Sequence, residues 1–381
     1  MTTPVLFVDH APVLGGAERS LLLLFKHLDR ALWQPHLACV EGDLARQAQA
    51  LGVTVHLIPM PRLRRSLSGP VLGARTVLSL TSLARHLNTS VMVANTVRAA
   101  VFTAWAARGA RVPFIWHMRD LWLSEARPRH LWLDTLGKRW LCAAATRVIA
   151  NSHATASHLP CPAKVTVVHN GIEVERFNPA MDDASFRSRY HIPQDAPLIG
   201  TVGRLRPWKG QDRFLQAMAH VAAQRPEARF LIVGGTPFQV NDDYPQHLRL
   251  LAQHLGLAGR TVFTGHLADV RPALAAMDVF VHAGDPEPFG LVIVEAMAMG
   301  KPVVGFAHGA LPEIIAHGQT GLLVPPGDTH HLATAVLTLL ADPTRRRAMG
   351  RAARRRVEQH FTAHHMTRQV EAVLKSVLHS A

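Results

Sequence analysis

Short apolar runs alternate with amphipathic stretches along the first 170 residues of the chain. Helical periodicity is clearest in AERSLLLLFKHLD and RAAVFTAWAARGA. The runs with strand character are PVLFVDHA, PHLACV, VTVHLIP, SVMVANT, VPFIWHMR, TRVIANS and KVTVVHNG. This order of elements predicts a parallel sheet that is covered by helices on both faces.

The same alternation starts again in the second half of the chain. Strand-like runs are PLIGTVGRL, ARFLIVGG, TVFTGH, DVFVHAG, KPVVGF and TGLLVP, separated by helices that include KGQDRFLQAMAHVAAQ and DDYPQHLRLLAQHLG. Between the halves, the stretch GIEVERFNPAMDDASFRSRYHIPQDA is polar and contains Pro179 and Pro193, which predicts a linker. The tail from 344 to 381 is predicted to be helical.

These patterns predict an α/β protein of two Rossmann-like domains, and the length of 381 residues agrees because single hydrophobic cores usually stop growing before that size. We expect a first domain over 1–175 and a second over 176–361, with the last helix, 362–381, packed back on the first. Parallel sheets bind ligands at the carboxyl ends of their strands. We therefore expect the domains to face each other across a cleft that holds the functional residues.

The cysteines and the amino terminus bear on the cellular compartment. Cys39, Cys142 and Cys161 are odd in number and widely spaced, which indicates neither a disulfide framework nor a zinc site. The amino terminus, MTTPVLFVDHAP, has the pattern of a first strand rather than of a secretion signal. These features predict a cytoplasmic protein.

The net charge of +14 indicates an anionic partner, which could be a nucleotide phosphate, a membrane surface or a nucleic acid. The segment PRLRRS at 61–66, followed by VLGARTVLSLTSLARHL, is typical of helices that lie on anionic lipid. The alternative is a solvated loop followed by an ordinary packing helix.

The segment EPFGLVIVEAMAMG, residues 287–300, places two carboxylates around the start of a helix. The prolines and the glycine near Glu287 oppose a helix there, so Glu287 is predicted to lie in a loop at the carboxyl end of a strand. Glu295 falls in the early turns of the following apolar helix, whose free N–H groups would suit a phosphate. The alternative is that Glu287 is a turn residue and that Glu295 pairs with a structural basic group.

Three further segments supply candidates at predicted strand ends. TVGRLRPWKG places Arg204 and Lys209 where they could bind a diphosphate, although either could be an ordinary surface residue. HAPVLGGAERSL contains Gly15 and Gly16, which permit a close approach of backbone N–H groups to phosphate, or only a plain turn. His117 in FIWHMRD is one of 24 histidines and is a candidate only because of its position.

Several motifs are missing from the sequence, namely G-x-x-x-x-G-K-[ST], G-x-G-x-x-G, H-E-x-x-H and D-x-D. Their absence counts against ATP hydrolysis, NAD binding, zinc proteolysis and metal-chelated sugar transfer. Arginine and lysine would have to neutralise a diphosphate, so we expect no metal and no other cofactor.

Together these segments resemble glycosyltransferase family 4 on the GT-B fold, over essentially the full length. The matching features are GGAE, the NG of Asn170 and Gly171, GRLRPWKG, the E-x7-E from Glu287 to Glu295, and GALPEII at 309–315. HNGIE has Glu173 where family members often have aspartate, and Ala310 stands where a second glycine is common.

The resemblance implies a role for each candidate. Donor binding is assigned to Arg204 and Lys209 on the diphosphate, to Gly290, Leu291 and Val292 through their backbone, to Glu295 on the ribose, and to Gly15 and Gly16 on the phosphate side. Glu287 is implied to touch the transferred sugar near its reacting carbon, and His117 to contact the sugar or help stabilise the transition state. Members retain the anomeric configuration without a metal.

The expected function is therefore a retaining, hexosyltransferase-type glycosyltransferase of cell-envelope or polysaccharide biosynthesis. It would move a sugar from a nucleotide-sugar donor to a glycan or lipid-linked acceptor, in the cytoplasm or peripherally at the inner face of the membrane. Two alternatives stay open. One is a basic nucleic-acid-binding protein, suggested by TRRRAMGRAARRR in the tail but opposed by an aromatic content of only 6%, and the other is an inactive, scaffolding relative of the family.

Overall fold

The computed structural model describes residues 2–61, 69–124, 127–236 and 243–379. The chain divides into two compact units. Unit 1 comprises Met1–Ile172 together with Thr362–Ala381, and unit 2 comprises Glu173–Phe361. Both units are α/β structures built on a parallel sheet, as the sequence predicts.

All thirteen predicted strands are present among the described residues. The strands are β1 (Thr3–Val8), β2 (Trp33–Cys39), β3 (Thr54–Leu57), β4 (Val91–Ala94), β5 (Phe114–Met118), β6 (Arg147–Ala150), β7 (Val165–Val167), β8 (Leu198–Val202), β9 (Arg229–Val233), β10 (Thr261–Gly265), β11 (Val279–His282), β12 (Val303–Phe306) and β13 (Gly321–Val324). The helices are α1 (Gly16–His27), α2 (Asp43–Ala50), α3 (Gly69–His86), α4 (Val97–Ala110), α5 (Leu131–Ala144), α6 (His153–Ser157), α7 (Ala184–Arg189), α8 (Gln211–Gln224), α9 (Tyr244–His254), α10 (Arg271–Ala276), α11 (Leu291–Ala298), α12 (Leu311–Ile314), α13 (Thr329–Ala341), α14 (Pro343–His360) and α15 (Ala363–His379).

The sheet of unit 1 has seven parallel strands in the order β3-β2-β1-β4-β5-β6-β7. Its central strands are buried on both faces, which explains why they are apolar throughout rather than alternating. One face packs against α1, α2 and α15, and the other against α3, α4 and α5. The sheet therefore has two separate cores, one on each side.

The tail returns to unit 1 at Gly171. A side chain at this position would meet the backbone of Thr362, because a Cβ would lie 2.2 Å from its carbonyl oxygen. The N–H of Ala363 also donates to the carbonyl of Ile172 at 2.8 Å. This contact requires the glycine of the NG segment, because only glycine lets the two backbones lie this close. Beyond that crossing, α15 packs its apolar side against α1.

The sheet of unit 2 has six parallel strands in the order β10-β9-β8-β11-β12-β13. From Glu173 onward, the stretch that the sequence predicts as a linker instead forms part of this unit. It contains α7, whose Phe186 is buried, and the buried Arg187 donates to the carbonyls of Pro193, Ala196 and Ala276. An arginine that binds two separate backbone segments leaves no sign in local hydrophobic periodicity, so the stretch looked polar and irregular.

Cys142 and Cys161 form a disulfide, with their Cα atoms 6.0 Å apart, which the cysteine spacing did not predict. The bond joins the end of α5 to the segment before β7, two places separated by 19 residues in sequence. Closing a loop of this length stabilises a fold by about 3 kcal/mol in the chain-entropy description. Such bonds are rare in reducing compartments, so in the cytoplasm these two cysteines would be thiols that the fold holds within bonding distance.

The segment at 61–66 that predicts lipid contact lies mostly outside the described residues. Helix α3, which follows it, packs its Leu80 and Ala84 into the core beside α4. Its opposite side exposes Val71 and Leu78. None of the helices in the described part of the chain is both long and apolar enough to cross a bilayer.

Candidate functional site

The loop after β8 is held against the loop after β11 by a glycine. Gly210, which precedes α8, has a φ of +69°, and a Cβ there would lie 1.9 Å from the carbonyl oxygen of Ala283. The N–H of Asp285 donates to the carbonyl of Trp208 at 2.7 Å, which closes the contact from the other side. Any residue larger than glycine would push these loops apart. The glycine therefore fixes the position of its neighbour, Lys209.

This contact brings Lys209 to Glu287, as an ion pair between Nζ and Oε1. The imidazole of His282, the last residue of β11, donates through Nε2 to the same carboxylate oxygen at 3.2 Å. Burial alone would raise the pKa of Glu287, but the Lys209 ammonium and the His282 hydrogen bond hold that pKa well below its usual range. Glu287 therefore stays ionised at every pH near neutral.

The GALPEII segment supports the backbone of Glu287. Gly309 has a φ of +57°, and a Cβ there would lie 2.6 Å from the backbone nitrogen and oxygen of Glu287. The N–H of Ala310 donates to the Glu287 carbonyl at 2.9 Å. Glu313 lies on the short helix α12, and its carbonyl accepts a hydrogen bond from Arg356. The GALPEII segment thus holds the backbone of Glu287 in place by close packing and a hydrogen bond.

Helix α11 begins next to this cluster in sequence, at Leu291. Gly290 precedes it with a φ of +94°, in the left-handed region that favours glycine. The first N–H groups of a helix have no partner inside it, so those of Leu291 and Val292 are suited to bind an anion. Glu295 is the fifth residue of α11 and is half-buried.

Arg204 lies in the exposed loop after β8. Its carbonyl accepts a hydrogen bond from Gln211 at 3.0 Å. Among the predicted residues of unit 2, the structure joins Lys209 to Glu287 directly, and the Arg204 side chain is exposed. His282 was missed by sequence reasoning, and the signal for it was its place as the last residue of a buried strand.

Polar side chains also gather at the carboxyl edge of the sheet in unit 1. Asp9, Asn95, Asn151 and Asn170 follow β1, β4, β6 and β7, and each is almost fully buried. They meet around Arg119, which follows β5. Its guanidinium donates to Asn95 at 2.6 Å and to Asn170 at 2.8 Å. The backbone carbonyl of Arg119 accepts from Asn151 at 3.0 Å.

The electrostatics of this network centre on Asp9, which accepts hydrogen bonds from Asn95 and from the N–H of Ala11. Burial and the nearby Glu18 carboxylate raise the pKa of Asp9 to about 7. Burial lowers the pKa of Arg119 to about 10, although the neighbouring carboxylates oppose that change. A folded carboxyl with a raised pKa binds a proton that the unfolded chain releases, so its contribution to stability decreases as pH rises toward neutral.

His117 lies on β5 and is almost fully buried. Nη2 of Arg119 donates to its Nδ1 at 3.3 Å, so the ring proton belongs on Nε2. Burial and the Arg119 charge lower the pKa of His117 well below its usual value, which keeps the ring neutral. Nε2 has no hydrogen-bond partner among the residues that the structure describes. The histidine thus presents one unused donor.

Gly15 and Gly16 lie at the start of α1, as predicted, but one of their N–H groups is already engaged. The N–H of Gly15 donates to Oε2 of Glu18 at 2.7 Å, which caps the helix internally. A phosphate at this position would have to displace the Glu18 carboxylate. Sequence reasoning missed this competition, because Glu18 matched the GGAE feature without a role of its own.

Comparison with known protein families identifies both units. The model described as "Glycosyltransferase Family 4" matches residues 14–176, and the model described as "Glycosyl transferases group 1" matches residues 182–356. The chain belongs to the family 4 glycosyltransferases. The resemblance drawn from the motifs is thereby confirmed.

Two curated relatives show the range of the group. A D-inositol 3-phosphate glycosyltransferase of Streptomyces avermitilis is 37% identical over 234 residues, which is 58% of this chain and 50% of that protein. A GDP-mannose-dependent monoacylated alpha-(1-6)-phosphatidylinositol monomannoside mannosyltransferase of Corynebacterium glutamicum is 35% identical over 238 residues, 59% of this chain and 57% of that protein. The chain thus spans about half the length of the curated relatives it matches.

Among solved structures, HepE of Anabaena in complex with UDP and glucose has a TM-score of 0.83 and 28% identity, and the match covers 98% of this chain and 99% of that one. The fold prediction of two parallel-sheet α/β domains of the GT-B type is confirmed.

Three arginines of the basic tail are engaged within unit 2. Arg346 pairs with Asp278 at 3.0 Å. Arg354 donates to the carbonyl of Ala298 at 2.8 Å, and Arg356 donates to that of Ile314 at 2.7 Å. These arginines fasten α14 to the rest of the unit. These three arginines therefore have a structural role, whereas Arg345, Arg347, Arg351 and Arg355 of the same motif are exposed. The similarity to glycosyltransferases does not favour the nucleic-acid alternative.

Proposed function

We propose that this glycosyltransferase moves a sugar from a nucleotide-sugar donor to a glycan or lipid-linked acceptor, with retention of configuration and without a metal. The observation that carries the proposal is the Lys209–Glu287 pair beside the His282 donor at the strand ends of unit 2. The similarity to HepE, whose structures hold UDP and glucose or UDP-glucose, supports a donor of this class.

The charges of this cluster suit the reaction. When the bond between the anomeric carbon and the diphosphate breaks, positive charge develops on the sugar ring and negative charge on the departing diphosphate. We assign the diphosphate to Lys209, to Arg204 and to the N–H groups at the start of α11, because fixed donors act best where charge develops. The ionised Glu287 would stabilise the sugar cation.

The acceptor oxygen then bonds to the anomeric carbon, and we propose that its proton passes to the departing phosphate oxygen. For His117 we propose a hydrogen bond from Nε2–H to the sugar, since that donor is the one its buried ring leaves unused. Glu295 is proposed to accept from the ribose. Phosphate contact by Gly15 and Gly16 would require Glu18 to release the N–H of Gly15.

We further propose a role in cell-envelope or polysaccharide biosynthesis, with the protein in the cytoplasm and peripherally bound at the inner face of the membrane. The direct test of donor class is a thermal-shift series with UDP, GDP and ADP and their common sugars. A ligand at a hundred times its Kd stabilises the folded protein by about 2.7 kcal/mol, which such a series detects readily. Product NMR with the stabilising donor then reports whether configuration is retained.

Replacing the proposed diphosphate ligands should weaken nucleotide binding. We expect Lys209→Ala to reduce nucleoside diphosphate affinity by about 1.5 to 3 kcal/mol, and Arg204→Ala by an amount toward the lower end because the side chain is exposed. Calorimetry with the nucleotide measures both effects. Arg225→Ala, on the opposite edge of the same sheet, is the matched control. Unchanged nucleotide affinity in both site variants would contradict the assignment of Lys209 and Arg204 as diphosphate ligands.

Activity should survive EDTA, because the proposal leaves charge neutralisation to arginine, lysine and helix N–H groups. We expect initial rates with and without the chelator to agree within experimental error. The assay needs dialysis of the protein against EDTA first, so that tightly held ions are removed. Loss of turnover that Mg²⁺ or Mn²⁺ restores would show that a metal neutralises the diphosphate instead.

A further inference from the structure

Helix α5 buries an ion pair beside Leu141 and Cys142 and exposes most of its large apolar residues, unlike an ordinary surface helix. Its buried side holds an ion pair, in which Nζ of Lys138 lies 2.7 Å from Oδ2 of Asp134. Its exposed side carries Trp132, Leu136 and Trp140, whose spacing of four residues places them along one stripe. Trp132 is 61% exposed and Leu136 is 51% exposed. Such a stripe needs another apolar surface to cover it.

The stripe belongs to a larger surface that continues onto α4. Trp105 of α4 is 53% exposed, and its ring centroid lies 5.7 Å from that of Trp140. We call this surface the tryptophan patch, and its members are Trp105, Leu131, Trp132, Leu133, Leu136 and Trp140. Of the thirteen large apolar side chains exposed in the described part of the chain, Leu250 is the only one in unit 2. Contiguous exposed apolar surface of this kind marks a binding surface.

The charge of the chain is concentrated in the same unit. Unit 1 has 21 Lys and Arg against nine Asp and Glu, whereas unit 2 has 20 against 18. Residues 44–119 contain ten arginines and no acidic residue at all. At the patch itself, Arg108, Arg129 and Arg139 are exposed, while the Asp134 carboxylate is neutralised from inside by Lys138. The patch therefore has an apolar centre and a cationic rim.

We propose that the tryptophan patch docks on an anionic lipid bilayer. Tryptophan is the residue that most favours the headgroup region, and arginines around an apolar surface are attracted to anionic lipid. A second copy of the chain is a poorer occupant, because two identical patches would bring two cationic rims together. This places the lipid contact on α4 and α5, whereas the sequence suggested the segment at 61–66 and the helix after it.

The ion pair inside α5 connects the patch to the candidate site in the same unit. Oδ1 of Asp134 accepts from the N–H of Leu123 at 2.7 Å, and Nζ of Lys138 donates to the carbonyl of Leu121 at 2.6 Å. Both contacts hold the loop that follows β5, which carries His117. Docking would thus hold this loop close to the lipid surface. This part of the inference rests on the proposed function and specifies the acceptor as lipid-linked.

The test is flotation of the full chain with vesicles of phosphatidylglycerol and phosphatidylcholine, compared with vesicles of phosphatidylcholine alone. We expect binding to the anionic vesicles, a blue shift of tryptophan fluorescence on binding, and loss at high salt. The variant Trp132→Ser/Leu136→Ser/Trp140→Ser should bind at least tenfold more weakly, and Leu250→Ser should not. Arg129→Ser/Arg139→Ser should also lose roughly tenfold, while the exposed α14 pair Arg347→Ser/Arg351→Ser should stay close to wild type.

Equal binding of the patch variant and wild type, or equal binding to both kinds of vesicle, would overturn the proposal. A patch variant that changes from dimer to monomer in sedimentation, with no change in vesicle binding, would assign the surface to a second copy instead. Thermal shift with nucleotide is measured on the same variants. Because the patch residues are not donor ligands, their loss should leave that shift intact, whereas a wild-type protein that binds vesicles but no nucleotide would refute only the donor assignment.

Discussion

Glu287→Gln should reduce turnover by about a hundredfold or more, while nucleotide binding stays close to that of the wild type. The substitution keeps the size of the side chain and an oxygen that can accept from His282, but it removes the negative charge proposed to stabilise the sugar cation. Since the pKa of Glu287 lies well below its usual range, protonation cannot imitate the variant near neutral pH. The rate of the wild type should therefore show no titration of this group between pH 5 and 8.

Glu295→Gln provides the contrast, because its proposed partner is the ribose of the nucleotide. We expect it to weaken free nucleoside diphosphate and donor alike, by roughly 1 to 3 kcal/mol. Calorimetry with the nucleotide alone, together with kcat and KM, separates the two variants. Glu227→Gln, an exposed change just before β9, is the control. The roles are reversed if Glu287→Gln loses nucleotide and Glu295→Gln loses only turnover, and an inactive family relative would show no turnover before any substitution.

The alternation of apolar runs was sufficient to predict every strand among the described residues, because buried parallel strands must be apolar on both faces. It also placed Glu287 and Lys209 at strand ends correctly. It could not predict that the two side chains pair, since they lie 78 residues apart and meet only through the packing of Gly210 against Ala283.

Helix α5 shows that the sequence pattern cannot always predict which face of a helix is buried. Its apolar residues have helical spacing, and the usual assumption for such a helix places those residues inside. The structure exposes most of them and places Asp134 and Lys138 inside beside Leu141, because the two charged side chains neutralise each other and bond to a neighbouring loop. Which face of a helix is buried depends on such partners elsewhere in the fold. The same reason hid the roles of Arg187 and Arg354, whose bonds go to backbone carbonyls that no motif identifies.

Arg119→Met should destabilise unit 1 by about 3 to 5 kcal/mol at pH 8, because removing one member of a buried charge network leaves the others unpaired. Methionine has an unbranched side chain of similar length but no hydrogen-bond donor. Asn95 and Asn170 lose their hydrogen bonds from the guanidinium, and Asp9 loses its nearby positive charge. Urea unfolding followed by tryptophan fluorescence reports on this unit, since six of the seven tryptophans belong to it.

The pH dependence of that loss identifies the group responsible. The pKa of Asp9 is raised in the folded protein, so the stability associated with its proton is present at low pH and is lost as pH rises through about 7. Without Arg119 the pKa should rise further, and the protonated Asp9 needs no counter-ion. The cost of Arg119→Met should therefore be smaller at pH 6 than at pH 8, and adding Asp9→Asn should recover part of the stability at pH 8. An equal cost at both pH values, unaffected by Asp9→Asn, would mean that Arg119 acts only through its hydrogen bonds to Asn95 and Asn170.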